Sequence, residues 1–83
     1  MNNFSEISKQ LEGFELIKNI MVLRKLDTIK YIRKDNGKFV SEKTILYGDK
    51  KKKYLLLQGF NKNGKLLRYT VPINDIIIFR KKE

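Results

Sequence analysis

After Asp27 the chain is punctuated at close intervals by turn-forming residues, at Asp35-Asn36-Gly37, Gly48-Asp49, Asn61-Lys62-Asn63-Gly64 and Pro72. The runs between them leave no room for a long periodic helix. They are rich in Ile, Leu, Val, Tyr and Phe, residues that suit a pleated, half-buried surface. This spacing predicts five antiparallel strands, at residues 28–33, 39–47, 54–60, 65–71 and 76–80. Asp35-Asn36-Gly37 is a strong hairpin signal, because Asn and Gly accept left-handed turn conformations. Pro72 has no amide to donate to a ladder and ends the fourth run. Only a one-turn bridge fits between it and the last strand.

Ahead of the strands, Ile7, Leu11, Phe14, Ile17 and Met21 recur in steps of three and four, with Leu16, Ile20 and Leu23 on a neighbouring track. That pattern predicts an amphipathic helix, with a break or a local cost at Gly13. At 83 residues the chain is too short for two ordinary domains. The expected fold is therefore a single α+β, mainly β domain over 1–83. It has a helical segment at 1–26 and a five-stranded antiparallel SH3-like or Sm-like small barrel at 27–83. Strands at 54–60 and 76–80 are apolar on both faces, which suits a closed or strongly bent barrel covered by the helix.

Composition narrows the chemistry. Cys, His and Trp are absent, which removes thiolate nucleophiles, disulfides, His-based acid–base pairs and zinc-finger ligand sets. A carboxylate pair or a Ser–Lys dyad remains. Asp35 and Asp49 fall in turn sequences where aspartate bonds its own backbone, and Ser41 and Lys43 merely share strand spacing. The expectation is a protein that is not an enzyme and holds no cofactor or metal. Residues 1–6 lack the basic start and apolar run of a signal peptide, and no stretch approaches the roughly 18 apolar residues of a membrane span. A cytoplasmic protein with no membrane partner is expected.

The formal net charge is +10, and its distribution matters more than its size. Residues 1–27 hold four basic and four acidic side chains, whereas residues 28–83 hold fifteen basic and five acidic ones. The whole excess sits on the strands. A field of this sign favours a polyanion, nucleic acid or nucleotide, through phosphate neutralisation. The competing explanation is coding bias with solubilising lysines, since 15 of the 19 basic residues are Lys.

The candidate nucleic-acid-binding residues follow from position. Lys50, Lys51, Lys52 and Lys53 form a basic turn beside Tyr54, and Lys62, Lys65 and Arg68 flank the next hairpin. Ammonium groups around an aromatic face can grip phosphates while a base stacks on the ring; the alternative is a solvated turn with a core tyrosine. Strand parity puts Ile29, Tyr31 and Arg33 on one face of the first strand and Lys30 on the other. If the first set faces the core, Lys30 and Arg68 point outward and can share a basic surface. Arg33 and Arg68 add planar guanidinium groups able to fork onto phosphate.

Residues 16–79 resemble the WYL domain, an Sm-like/SH3-type β-barrel of bacterial regulators. The similarity lies in an apolar segment running into Arg24-Lys25-Leu26-Asp27-Thr28-Ile29-Lys30-Tyr31, in Lys53-Tyr54-Leu55 where the family has Trp-Tyr-Leu, in Gly64-Lys65-Leu66-Leu67-Arg68-Tyr69, and in Asp75-Ile76. Val71-Pro72-Ile73-Asn74-Asp75-Ile76-Ile77 also resembles the YolD-like family, whose members accompany DNA-damage and mobile-element functions. The WYL resemblance implies ligand sensing, with nucleic acid or nucleotide as the favoured class. Two functions stand as expectations. The first is a small nucleic-acid- or nucleotide-binding regulator or accessory factor, of the kind phages and plasmids encode. The second is a protein-interaction module that docks on an acidic partner or self-associates, motivated by more apolar surface than an 83-residue core can bury.

Overall fold

The hairpins form where glycine and asparagine make them cheap. In the computed structural model, which describes residues 4–49 and 51–82, Gly37 and Gly64 take φ values of 69° and 78°, in the left-handed region. The Asn36 side chain accepts the Lys38 amide at 2.9 Å, and Asn61 Oδ1 accepts the amides of Asn63 and Lys65, each at 2.9 Å. Six strands result: β1 (Phe14–Leu16), β2 (Thr28–Arg33), β3 (Phe39–Asp49), β4 (Tyr54–Phe60), β5 (Leu66–Pro72) and β6 (Ile76–Lys81).

They form one antiparallel sheet in the order β1-β6-β2-β3-β4-β5. The ladder does not close, so the expected barrel is corrected to an open sheet with edges at β1 and β5. Pro72 and the 3-10 turn Ile73–Asp75 separate β5 from β6. β6 then pairs with β2, from Ile29 opposite Arg80 to Arg33 opposite Ile76.

The helix expected over the first 26 residues is also corrected. Among the described residues only α1 (Phe4–Gln10) is α-helical. Gly13 takes φ 80° and redirects the chain, its carbonyl accepting the Lys82 amide at 2.7 Å. Phe14–Leu16 then adds the sixth strand beside β6, with Leu16 opposite Phe79. Backbone pairing along the β6 edge outweighs helical periodicity here, although Leu16 stays 49% exposed. Farther on, a 3-10 turn at Ile20–Val22 is capped by the Asn19 side chain, which accepts the Met21 amide at 3.0 Å. Leu26 and Asp27 pair with Ile45 through backbone bonds of 2.6 and 3.0 Å. Arg80 ties this strap down, donating to the Val22 carbonyl at 2.8 Å and lying 3.4 Å from Glu15 and 3.8 Å from Asp27.

The core covers one face of the sheet. Ile29 and Tyr31 of β2, Ile45 of β3, Leu55 and Leu57 of β4, and Ile76 and Ile78 of β6 alternate inward, closed over by Leu23 and Ile73. Ile29 and Leu57 are wholly enclosed. Strand β3 shifts register twice, between the pairs Tyr31–Val40 and Ile29–Lys43 and between Ile45–Leu57 and Tyr47–Leu56. Each shift places an extra β3 residue against its partner, and such bulges bend and twist a strand. The Tyr31 and Tyr69 hydroxyls meet at 2.9 Å although β3 and β4 lie between their strands. This pair spans the concavity.

Candidate nucleic-acid interface

Alternation with buried Ile45, two residues on in unbroken register, decides where Lys43 points. Val40 and Lys43 lie opposite Tyr31 and Ile29, two residues of the inner face, although they are three positions apart on β3. Lys43 therefore enters the concave side. Its stem crosses Gly59 so closely that a Cβ there would lie 2.4 Å from Lys43 Cδ. Its ammonium donates to the Ser41 and Glu42 carbonyls, each at 3.3 Å. Partial burial lowers the Lys43 pKa from the usual lysine value. The bond goes to the carbonyl of Ser41, so the spacing of Ser41 and Lys43 reflects the bulge.

Lys43 lies in a groove of about 550 Å³ that opens between the β2–β3 and β4–β5 hairpins. Arg33, Lys38 and Lys62 line it as well, with Tyr31 and Tyr69 at its inner end and Phe39 and Phe60 among its walls. Among the described residues none of those lining it is acidic. Arg33 is shared: its guanidinium reaches Asp35 with a fork of 3.2 and 3.0 Å. The hydrogen bond and the charge of Asp35 raise the Arg33 pKa, and the same bond holds the Asp35 carboxyl below its ordinary value. Burial, followed by the bond to Tyr31, pushes the pKa of the Tyr69 hydroxyl well above the usual tyrosine value. Phe60 is 68% exposed at the end of β4. Enclosing such a side chain is worth about 1.5–3 kcal/mol, which the fold forgoes.

The residues nominated from sequence divide among several places. Arg33 and Lys62 line the groove. Lys30 lies on the outer face opposite Phe79, where it donates to the Gln10 carbonyl and sits 4.5 Å from the Phe14 ring centre. Arg68 is opposite Gln58 and donates to its side chain at 2.8 Å. Lys30 and Arg68 both alternate outward, as expected, each bonded to a different partner. Lys51, Lys52 and Lys53 occupy the turn before β4, where Asp49 Oδ1 accepts the Lys51 and Lys52 amides at 3.0 and 2.9 Å and Lys53 takes φ 59°. Tyr54 faces Tyr47, their ring centres 6.5 Å apart. Lys65 closes the β4–β5 hairpin through its backbone, and Lys50 lies outside the described residues.

Lys38, Lys43 and Phe60 were missed. The hairpin signal at Asp35-Asn36-Gly37 could have flagged Lys38, but the apolar pair Ile45-Leu46 leaves open which face of β3, and with it Lys43, turns inward. Among the described residues no cluster of three or more acidic side chains is placed to hold a metal ion, and no helix is long and apolar enough to cross a membrane. Compared with protein-family models, curated proteins and solved structures, the chain matches none.

Proposed function

We propose that this protein is a small, non-enzymatic nucleic-acid- or nucleotide-binding module that acts as a regulator or accessory factor. The observation that carries this reading is the convergence of Arg33, Lys38, Lys43 and Lys62 on one groove with Tyr31 and Tyr69 at its inner end. A groove of that kind attracts phosphate by charge and offers faces for bases. The carboxylates have structural partners: Asp35 bonds Arg33, Asp49 caps the turn, and Asp27 accepts the Arg24 amide at 2.8 Å. The resemblance to WYL domains points to the same ligand class, and the antiparallel meander with its one-turn bridge supports an SH3-like strand order. Titration with single- and double-stranded DNA and RNA at two salt concentrations tests the proposal. Binding that weakens with salt is expected; no binding at low salt, or affinity indifferent to salt, would sink it.

A second reading, a protein-interaction module or homo-oligomer, draws on the exposed Leu66 and Leu67 along the open edge strand β5. An unpaired edge can accept another strand. Sedimentation would reveal self-association.

A further inference from the structure

The sheet ends in two unequal edges. β1 is three residues long, whereas β5 runs for seven and pairs only with β4, in one register from Tyr54 opposite Pro72 to Phe60 opposite Leu66. No bulge interrupts that edge, and Pro72 guards only its last position. Alternation puts Leu66 and Arg68 on the outer face, opposite to Leu67 and Tyr69. Phe60 and Leu66 lie directly across from each other there, 68% and 43% exposed. Arg68 donates to the neutral Gln58 side chain and, among the described residues, has no carboxylate within salt-bridge distance. Resting on the reading of this chain as a protein-interaction module, we infer that β5 takes up an extended acidic segment of another protein as a further strand. An apolar side chain of that segment lies beside Leu66, and a carboxylate two residues along lies beside Arg68.

Charge selects this occupant. From residue 50 to residue 74 the sequence holds seven basic side chains and no acidic one. Antiparallel pairing of β5 with a second copy would set the Lys62 and Lys65 end of each strand toward the other's lysine turn at 51–53, which adjoins Pro72 and Ile73. Like charges at both ends oppose that pairing, whereas an acidic strand meets them favourably. The free side of β5 also presents amides and carbonyls in regular succession. Another peptide backbone can match that succession, and a phosphate backbone, which has no amide to donate, cannot. The incoming apolar side chain extends the Phe60–Leu66 row across one more strand.

The probe is a capped nine-residue peptide of alternating Thr and Val, with Glu in place of one internal Val. Control peptides carry Lys instead of that Glu, or N-methyl groups on the alternate amides of one edge, each edge in turn. Binding is followed by amide chemical shifts and hydrogen exchange of the full chain. The Glu peptide should shift and protect alternate amides of β5, and N-methylation of one edge only should abolish this. Affinity should fall about threefold for Arg68→Gln, the order of one cross-strand charge pair, and further for the Lys peptide. Circular dichroism checks the fold of Arg68→Gln. Equal binding of the Glu and Lys peptides, indifference to N-methylation of either edge, or no binding at millimolar peptide would overturn the inference. A dimer in sedimentation whose β5 amides are protected without peptide would also overturn it, keeping the interaction reading but making a second copy the occupant. Oligothymidylate is titrated in parallel. Failure of the peptide alone removes this inference, and failure of the oligothymidylate alone removes the proposed nucleic-acid function.

Discussion

The groove and the β3–β4 turn are both basic and both have aromatic neighbours, yet they use those residues differently. At the turn, Asp49 accepts two lysine amides and Lys53 takes a left-handed backbone, so the local sequence is spent on reversing the chain. At the groove, side chains from β2, β3 and two hairpins approach one space, and Lys43 is held by the bulge carbonyls and by the notch at Gly59. Density of charge along a sequence and convergence of charge in space are separate properties. Only convergence lets several cations act on one phosphate backbone.

Charge reversal should separate the two regions most sharply. Lys43→Glu is expected to weaken nucleic-acid binding about tenfold or more, a cost of about 1.4 kcal/mol, and to reduce the salt slope by about 1. Lys51→Glu with Lys52→Glu should cost less than about threefold, through the general field alone. Anisotropy titrations over a salt series would compare them, and a larger loss from the turn pair would break the distinction.

The next effect is on stability. Tyr31→Phe removes one hydroxyl of the pair that spans the concavity and leaves Tyr69 without that partner. A loss of about 1 kcal/mol is expected in urea unfolding, with little change when Lys51 is altered. A smaller loss of affinity, several-fold on the same binding scale, should follow Gly59→Ala. The added methyl collides with the flexible stem of Lys43 and displaces it, while the backbone needs no unusual φ. Native-like circular dichroism with weakened binding would place Lys43 at the site.

The subtlest contrast is in proton binding. Burial lowers the Lys43 pKa in the folded chain, so the unfolded chain holds that proton to higher pH. Stability contributed by this group therefore rises as pH climbs from below the folded pKa to above the unfolded one, and is lost on the way down. Lys43→Met should flatten that part of the urea midpoint against pH while weakening binding. Asp35 behaves in the same direction at acid pH, its carboxyl held low by Arg33; Arg33→Gln should move its NMR titration back toward the ordinary carboxylate range.

Much of the sheet was legible in local chemistry. Thr28–Arg33 and Tyr54–Phe60 could be read to the residue, because Asp35-Asn36-Gly37 and Asn61-Lys62-Asn63-Gly64 mark the chain reversals beside them. Phe14–Leu16 could not, because its spacing fits a helix and its strand character comes from pairing with β6, distant in sequence. Closure was misjudged because apolar residues on both faces of β6 do not require it: Ile76 and Ile78 face the core while Ile77 stays 37% exposed, and the edges β1 and β5 remain apart. In the groove, Arg33 and Lys62 followed from hairpin position. Lys43 did not, since Ile45 and Leu46 are both apolar and only the folded strand makes Ile45, on the Lys43 face, the buried one.

The central claim is that ligand meets the concave groove and leaves the lysine turn largely untouched. Amide chemical-shift mapping during titration with an oligothymidylate strand tests it most directly. The account predicts the largest shifts at Lys38, Lys43, Gly59, Phe60 and Lys62, with small changes at Asp49, Lys51, Lys52 and Tyr54. Largest shifts in the turn, with the groove amides unmoved, would contradict it.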